Sequence, residues 1–157
     1  MNNDKENELL LKAEEFENAA RFDQAVEIYS QLSQSDPASP RFFALKGYAY
    51  FCQGKYLEAL RDFNFALGIR SDAATTLFYR AQTHEKLQNL DNALADYEAS
   101  AAISPEADVF VNIALIHRFR KDLTESKKAL SRAIELEPED RTAQELLKRW
   151  QDDDSLQ

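Results

Sequence analysis

A chain of 157 residues, 44% of them apolar, is long enough for one domain with a substantial core. Its 28 acidic side chains against 19 basic ones give a net charge of −9, which repels a phosphate backbone and excludes nucleic acid as an expected partner. One cysteine, Cys52, allows no internal disulfide and no thiolate zinc site from this chain alone.

No apolar run approaches the roughly 20 residues of a membrane helix, and the polar, acidic start MNNDKENELL is unlike a secretory signal. The cytoplasm is therefore the expected compartment, without membrane insertion. With 3 glycines and 4 prolines the chain is too poor in turn residues for a β-rich fold, and its apolar residues fall at helical spacing, so an all-α chain is expected.

Taken in chain order, one pattern comes four times. The first copy, about residues 6–39, sets small Ala13 and the ring of Phe16 ahead of Phe22, Ala25 and Tyr29, and closes on Pro37. The second, 40–73, repeats this with Gly47, Tyr50, Tyr56, Ala59 and Phe63, but ends on Ser71. The third, 74–106, has Ala81, His84, Leu90, Ala93, Tyr97 and Pro105; the fourth, 107–140, has Ala114, His117, Leu123, Ser126, Leu130 and Pro138. Ala25, Ala59 and Ala93 are spaced by 34 residues, and Ser126 follows 33 later. Two antiparallel helices approach closely only where each carries a small residue, so Gly47 is expected to face Ala59 while Tyr50 and Phe63 fill the space beside them. Gly54 suits a left-handed helix end, and the prolines mark where second helices stop. Gln88 and Lys121 stand where that glycine would recur, and looser turns are expected there. After the fourth copy, Ala143, Leu146, Leu147 and Trp150 fall on one face of a helix over about 141–151, with Lys148 where a fifth repeat would need a small residue. This reads as a capping helix, followed by an acidic tail, 152–157, expected to fray. Residues 1–151 are thus read as a single domain.

These residues resemble the tetratricopeptide repeat, a helix-turn-helix unit of about 34 residues with small, aromatic and proline positions at fixed offsets. The resemblance covers about residues 6–138 and implies a solenoid of four antiparallel helix pairs in a right-handed superhelix. It also implies that the first helix of each pair lines a concave groove where partners lie as extended or helical segments. Carried over by position, the groove has Asn7, Leu10, Glu14, Glu17 and Asn18 at an acidic end. Next come Arg41, Ala44, Tyr48, Phe51 and Cys52, then Thr75, Phe78, Gln82, Glu85 and Lys86. Asp108, Val111, Leu115, Arg118 and Phe119 complete it.

Inner positions ought to be polar, and Tyr48, Phe51, Phe78, Val111 and Leu115 depart from that together. Apolar clusters rimmed by charge mark binding surfaces. The plainer explanation is that these side chains pack within the superhelix, or lie under the C-terminal helix or a second copy. A branch of the family grips heat-shock chaperone carboxylates with lysines, asparagines and an arginine. Here those places hold Leu10, Glu14, Ala44 and Tyr48, which Asn112 and Arg41 cannot compensate, so an Hsp70 or Hsp90 adaptor role is disfavoured.

The resulting expectation is a non-catalytic protein-protein interaction module, an adaptor or scaffold that binds an apolar-anchored segment. Glu14, Glu17, Arg41 and Arg118 would set its orientation, with a basic residue near Glu14 and Glu17. Two rivals remain. One is a secretion-type chaperone, similar to type III translocator chaperones but with the first repeat starting near Glu6 and no room for their N-terminal arm. The other is a self-assembling subunit, and a homodimer through Phe65, with a lone ring lying against Arg61 or Arg70 as the plainer alternative. No nucleophile motif, phosphate loop or metal-ligand pair is present, so no cofactor and no enzymatic activity are expected. His84 and His117, in equivalent places, are read as packing residues.

Overall fold

Helices start and stop where the sequence punctuates them. In the computed structural model, which describes residues 3–139 and 141–154, nine helices follow one another and no strand occurs among the described residues. They are α1 (Asn3–Asn18), α2 (Phe22–Ser35), α3 (Pro40–Cys52), α4 (Tyr56–Ile69), α5 (Ala74–Lys86), α6 (Leu90–Ile103), α7 (Ala107–Phe119), α8 (Leu123–Leu136) and α9 (Arg141–Asp154). Each packs chiefly on its neighbours in sequence, which makes the chain an all-α solenoid.

The small-residue register explains the closeness of the pairs. Ala13, Ala25, Ala59, Ala81, Ala93, Ala114 and Ser126 are wholly buried, and the bulky partners Tyr29, Phe63, Tyr97 and Leu130 lie in the core. A Cβ built on Gly47 would come within 2.8 Å of the Phe63 ring and 3.3 Å of the Ala59 carbonyl oxygen, so only glycine fits there. Pro37, Pro105 and Pro138 each follow a second helix by two residues, and Ser71 holds the same place after α4. At each of these four helix ends the cap amide donates back to a carbonyl of the last turn: Asp36 to Leu32, Arg70 to Ala66, Ser104 to Ser100 and Glu137 to Ala133.

The turns inside the pairs correct one expectation. Gln88 and Lys121 do not loosen them: both take the left-handed conformation of Gly54 (φ 73°), at φ 61° and 63°, and Ala20 does the same at 55°. All four turns close with matching backbone bonds, as in Lys55 N to Tyr50 O at 3.0 Å and Asn89 N to His84 O at 2.8 Å. The six-residue bond of a helix C-terminus imposes the geometry, and three side chains bear the strain that a glycine would avoid.

Two core clusters result. One runs from α1 to α3 around Ala25, Tyr29, Leu32 and Phe42; the other runs from α5 to α9 and includes Ala143 and Trp150, with Leu146 and Leu147 packed on it. The C-terminal helix therefore buries its apolar face on the solenoid. It continues to Asp154, into the segment expected to fray, and residues 155–157 of that tail lie outside the described residues. Phe65 is 57% exposed but not alone: it stacks on Phe43, with centroids 5.4 Å apart and planes 19° from parallel, rather than on Arg61 or Arg70. Among the described residues no helix is long and apolar enough to cross a membrane.

Candidate functional site: the face of the first helices

Because α1, α3, α5 and α7 each follow the same turn, their inner residues stand in rows across one face. One row reads Glu17, Phe51, Glu85 and Arg118; the next reads Glu14, Tyr48, Gln82 and Leu115; a third reads Leu10, Ala44, Phe78 and Val111. The middle of this face is aromatic. Tyr48 and Tyr79 have centroids 4.8 Å apart, Phe51 lies 6.1 Å from Tyr79, and Phe78 lies 5.5 Å from Tyr79 and 5.7 Å from Tyr97. Tyr97 is wholly buried, whereas Tyr48, Phe51, Phe78 and Tyr79 are half-buried, so they join each other and the core while leaving part of each surface open.

Two depressions flank them. One of about 210 Å³ is lined by Glu17, Ala44, Tyr48, Thr75 and Tyr79, with Phe63 among its walls. A larger, more polar one of about 720 Å³ is lined by Phe51, Cys52, Tyr56, Gln82, Glu85 and Asn112. Each contains a carboxylate with a tyrosine beside it: Tyr97 donates to Glu85, and Tyr29 neighbours Glu17, the tyrosine standing 12 residues after the glutamate in both repeats. In repeats two and four the same two places hold Phe51 with Phe63 and Arg118 with Leu130, which form no such bond.

The electrostatics follow from this half-burial. Burial pushes the Glu17 carboxyl above its ordinary value; the neighbouring Tyr29 hydroxyl opposes this and the charge of Glu14 adds to it. The Cys52 thiol next to the Tyr48 hydroxyl, together with burial, raises the tyrosine's pKa. Burial also raises the Cys52 thiol and the Tyr79 hydroxyl. No group of three or more His, Cys, Asp or Glu among the described residues is placed to hold a metal ion.

The expected site residues divide. Tyr48, Phe51, Gln82 and Glu85 are half-buried around the two depressions, Ala44 and Glu17 line the smaller one, and Glu14 and Arg41 are exposed and line neither. Leu10 packs on the first core cluster and Phe78 on the second. Val111 is buried, 9% exposed, in the cluster that contains Trp150, so it does not stand open as expected; Leu115 is 41% exposed and lines neither depression. Arg118 lies over the Trp150 ring, 5.4 Å from its centroid, and is engaged by the capping helix rather than left free for a partner. Glu17 and Glu85 were expected on this face, but Tyr79, at the hub of the ring cluster, and the tyrosines set beside those two glutamates escaped the sequence reading. The recurrent 12-residue Tyr/Glu spacing was the signal that would have found the latter.

Comparison with known proteins fits this geometry. Models of the tetratricopeptide repeat match residues 10–74, 45–108 and 107–140. The chain is 26% identical over 122 residues to human tetratricopeptide repeat protein 6 (Homo sapiens), covering 76% of this chain and 23% of that one. It is 27% identical over 95 residues to mouse RNA polymerase II-associated protein 3 (Mus musculus), covering 60% and 14%. It thus spans less than a quarter of the length of either relative. Among solved structures, MamA from Desulfovibrio magneticus RS-1 superposes with a TM-score of 0.86 at 18% identity, over 97% of this chain and 86% of that one. The first TPR of Spaghetti (RPAP3), solved bound to the HSP90 peptide SRMEEVD, gives 0.72 at 22% identity over 77% and 97%. By residue pattern, helix order and these matches over most of its length, the chain belongs to the tetratricopeptide repeat family.

Proposed function

We propose that the chain is a non-catalytic interaction module, an adaptor or assembly scaffold, that binds an apolar-anchored segment of another protein along the face of its first helices. The observation that carries this is the half-buried ring cluster of Tyr48, Phe51, Phe78 and Tyr79 beside two open depressions. Rigid rings offer large contact area at small entropic cost, which is why such residues dominate binding energy at interfaces. The fold's kinship supports a protein partner, since a related domain is solved with a peptide in place. That peptide, SRMEEVD, carries a run of acidic residues, whereas Glu14, Glu17 and Glu85 make the present face acidic. Like charges across an interface suppress binding, so a different class of segment is the better fit here.

Affinity capture from native lysate, comparing wild type with a Tyr48→Ser, Phe78→Ser, Leu115→Ser variant shown by circular dichroism to be folded, tests the reading. A partner retained by wild type and lost by the variant supports it. Retention of the same partner by both refutes it and directs attention to the outward ring pair, Phe43 and Phe65.

A further inference from the structure

We propose that the depression walled by Tyr48 and Tyr79 receives a basic side chain of the bound segment, arginine in preference to lysine, with Glu17 as its counter-ion. This rests on the reading that partners lie along the face of the first helices.

Size comes first. At about 210 Å³ the depression is smaller than the about 300–1,000 Å³ typical of small-molecule sites, and is scaled to one inserted side chain. Its polar chemistry then selects among side chains. The Tyr29 hydroxyl neighbours the Glu17 carboxylate, yet the Oε1 atom of Glu17 is buried without a hydrogen-bond partner, and none of the described ion pairs involves Glu17. An apolar occupant would cover what remains open of that poorly compensated carboxylate, which is costly. A cation laid against it compensates the charge and gains from the negative ring faces beside it.

Arginine fits better than lysine because its planar fork can lie against an aromatic wall while donating to a carboxylate in its own plane. The rest of the surroundings agree with that charge. Glu14 adds a second negative group at this end, and burial already makes the isolated Glu17 charge unfavourable, so an incoming cation relieves the site that receives it. Glu85 accepts a hydrogen bond from Tyr97 and shares its depression with Lys86, which makes the Glu17 site the stronger of the two for a cation.

The test is a displayed library of short random peptides, selected on wild type and counter-screened on two variants. One is Glu17→Gln, which keeps the shape and removes the charge. The other is Phe51→Ser with Leu115→Ser, which strips apolar anchors away from the Glu17 depression and is checked for folding by circular dichroism. Peptides that need Phe51 and Leu115 are expected to be enriched in arginine. They should lose affinity by about tenfold on Glu17→Gln, the scale of a hydrogen bond to a charged group. Replacing the peptide's arginine with neutral citrulline, which leaves the protein untouched, should cost the same and add little further on the Glu17→Gln background. Groove-dependent peptides that lack basic enrichment, or that bind Glu17→Gln and wild type alike, overturn this proposal and leave the groove reading standing. If no selected peptide depends on Phe51 and Leu115, the groove reading itself fails and this proposal with it.

Discussion

Repeats two and three place different residues at the same positions, and the differences show what the repeat needs. In repeat two a buried Asp62 meets Lys46 through one contact of 3.4 Å, with exposed Arg61 at 3.8 Å, and its Oδ2 has no partner; burial pushes its pKa up. In repeat three, 34 residues on, Asp96 takes two bonds from Arg80, of 2.6 and 2.7 Å, while a third guanidinium nitrogen bonds Asn64 at 2.9 Å. A planar fork satisfies both oxygens of a carboxylate, and a point-like ammonium reaches one. The core ring differs as well: Phe63 only packs, while Tyr97 packs and also grips a carboxylate on the binding face. Packing is shared by the two repeats; polar satisfaction is not.

The largest way to break this comparison is to remove what is shared. Phe63→Ala should cost about 3 to 5 kcal/mol, because the ring fills the space that Gly47 leaves open. That is a large part of the about 5 to 15 kcal/mol a domain possesses. Thermal melting followed by circular dichroism should show repeat two loosened or the chain unfolded; an unchanged midpoint would sink the assigned register. Tyr97→Phe keeps the packing and should cost only about 1 kcal/mol, the value of one hydrogen bond, while releasing Glu85.

Next come the ion pairs. Arg80→Met leaves Asp96 buried without its partner and should cost toward the lower end of about 3 to 5 kcal/mol, since the arginine side chain is 23% exposed. Lys46→Met should cost less, because Asp62 is already poorly satisfied. Lys46→Arg sharpens the contrast: it should stabilise the protein by about 1 kcal/mol if a fork can reach the vacant Oδ2. Urea unfolding midpoints decide this, and equal losses for the two methionine variants would contradict the geometric account.

A smaller difference lies in the turns. Gln88→Gly should raise stability by about 0.5 to 1 kcal/mol, the relief of a left-handed side chain less the added freedom of the unfolded chain, and Gly54→Gln should lower it by a similar amount. If the two substitutions moved the urea midpoint in the same direction, left-handed strain would not be what separates the turns.

What was legible in the sequence follows the same division. Small and bulky core residues must recur, because helix pairs cannot close without them, so Gly47, Ala59 and Phe63 announced their roles four times over. Tyr79 did not: its place beside Tyr48 depends on the twist that brings α5 against α3, and its equivalents Leu45 and Asn112 carry no ring. Val111 and Arg118 were read as open because the repeat leaves them so. Trp150, which belongs to no repeat, engages Arg118 from outside the period, and Val111 is drawn into the core cluster that runs from α5 to α9. Phe65 and Phe43 lie on adjacent helices in no common row, and only the crossing of α3 and α4 stacks them. Gln88 and Lys121 were read from glycine preference, whereas the backbone bonds of the turn overrode it.

The smallest predicted effect again separates the two repeats. At the position of Tyr50, repeat three has His84, 8% exposed, with its Nε2 3.9 Å from Asp96 and its Nδ1 without a partner. Burial lowers the pKa of His84 below its ordinary 6.5; Asp96 opposes this and Arg80 assists it. The folded chain therefore resists the proton that the unfolded chain accepts, so the unfolded state binds more protons as pH falls below 6.5. Stability from this group is present above that value and is lost as pH drops through the lower, folded value. Asp62 and Glu17, whose pKa values are raised, act in the opposite sense, losing their contribution as pH rises through their folded values. The informative quantity is accordingly the difference between wild type and His84→Tyr across the slightly acidic range. Wild type should lose stability relative to the variant as pH falls, and Tyr50→His should transplant the same dependence into repeat two. Parallel curves for wild type and His84→Tyr would mean that Asp96 offsets the burial of the imidazole, and that both repeats respond to acid alike.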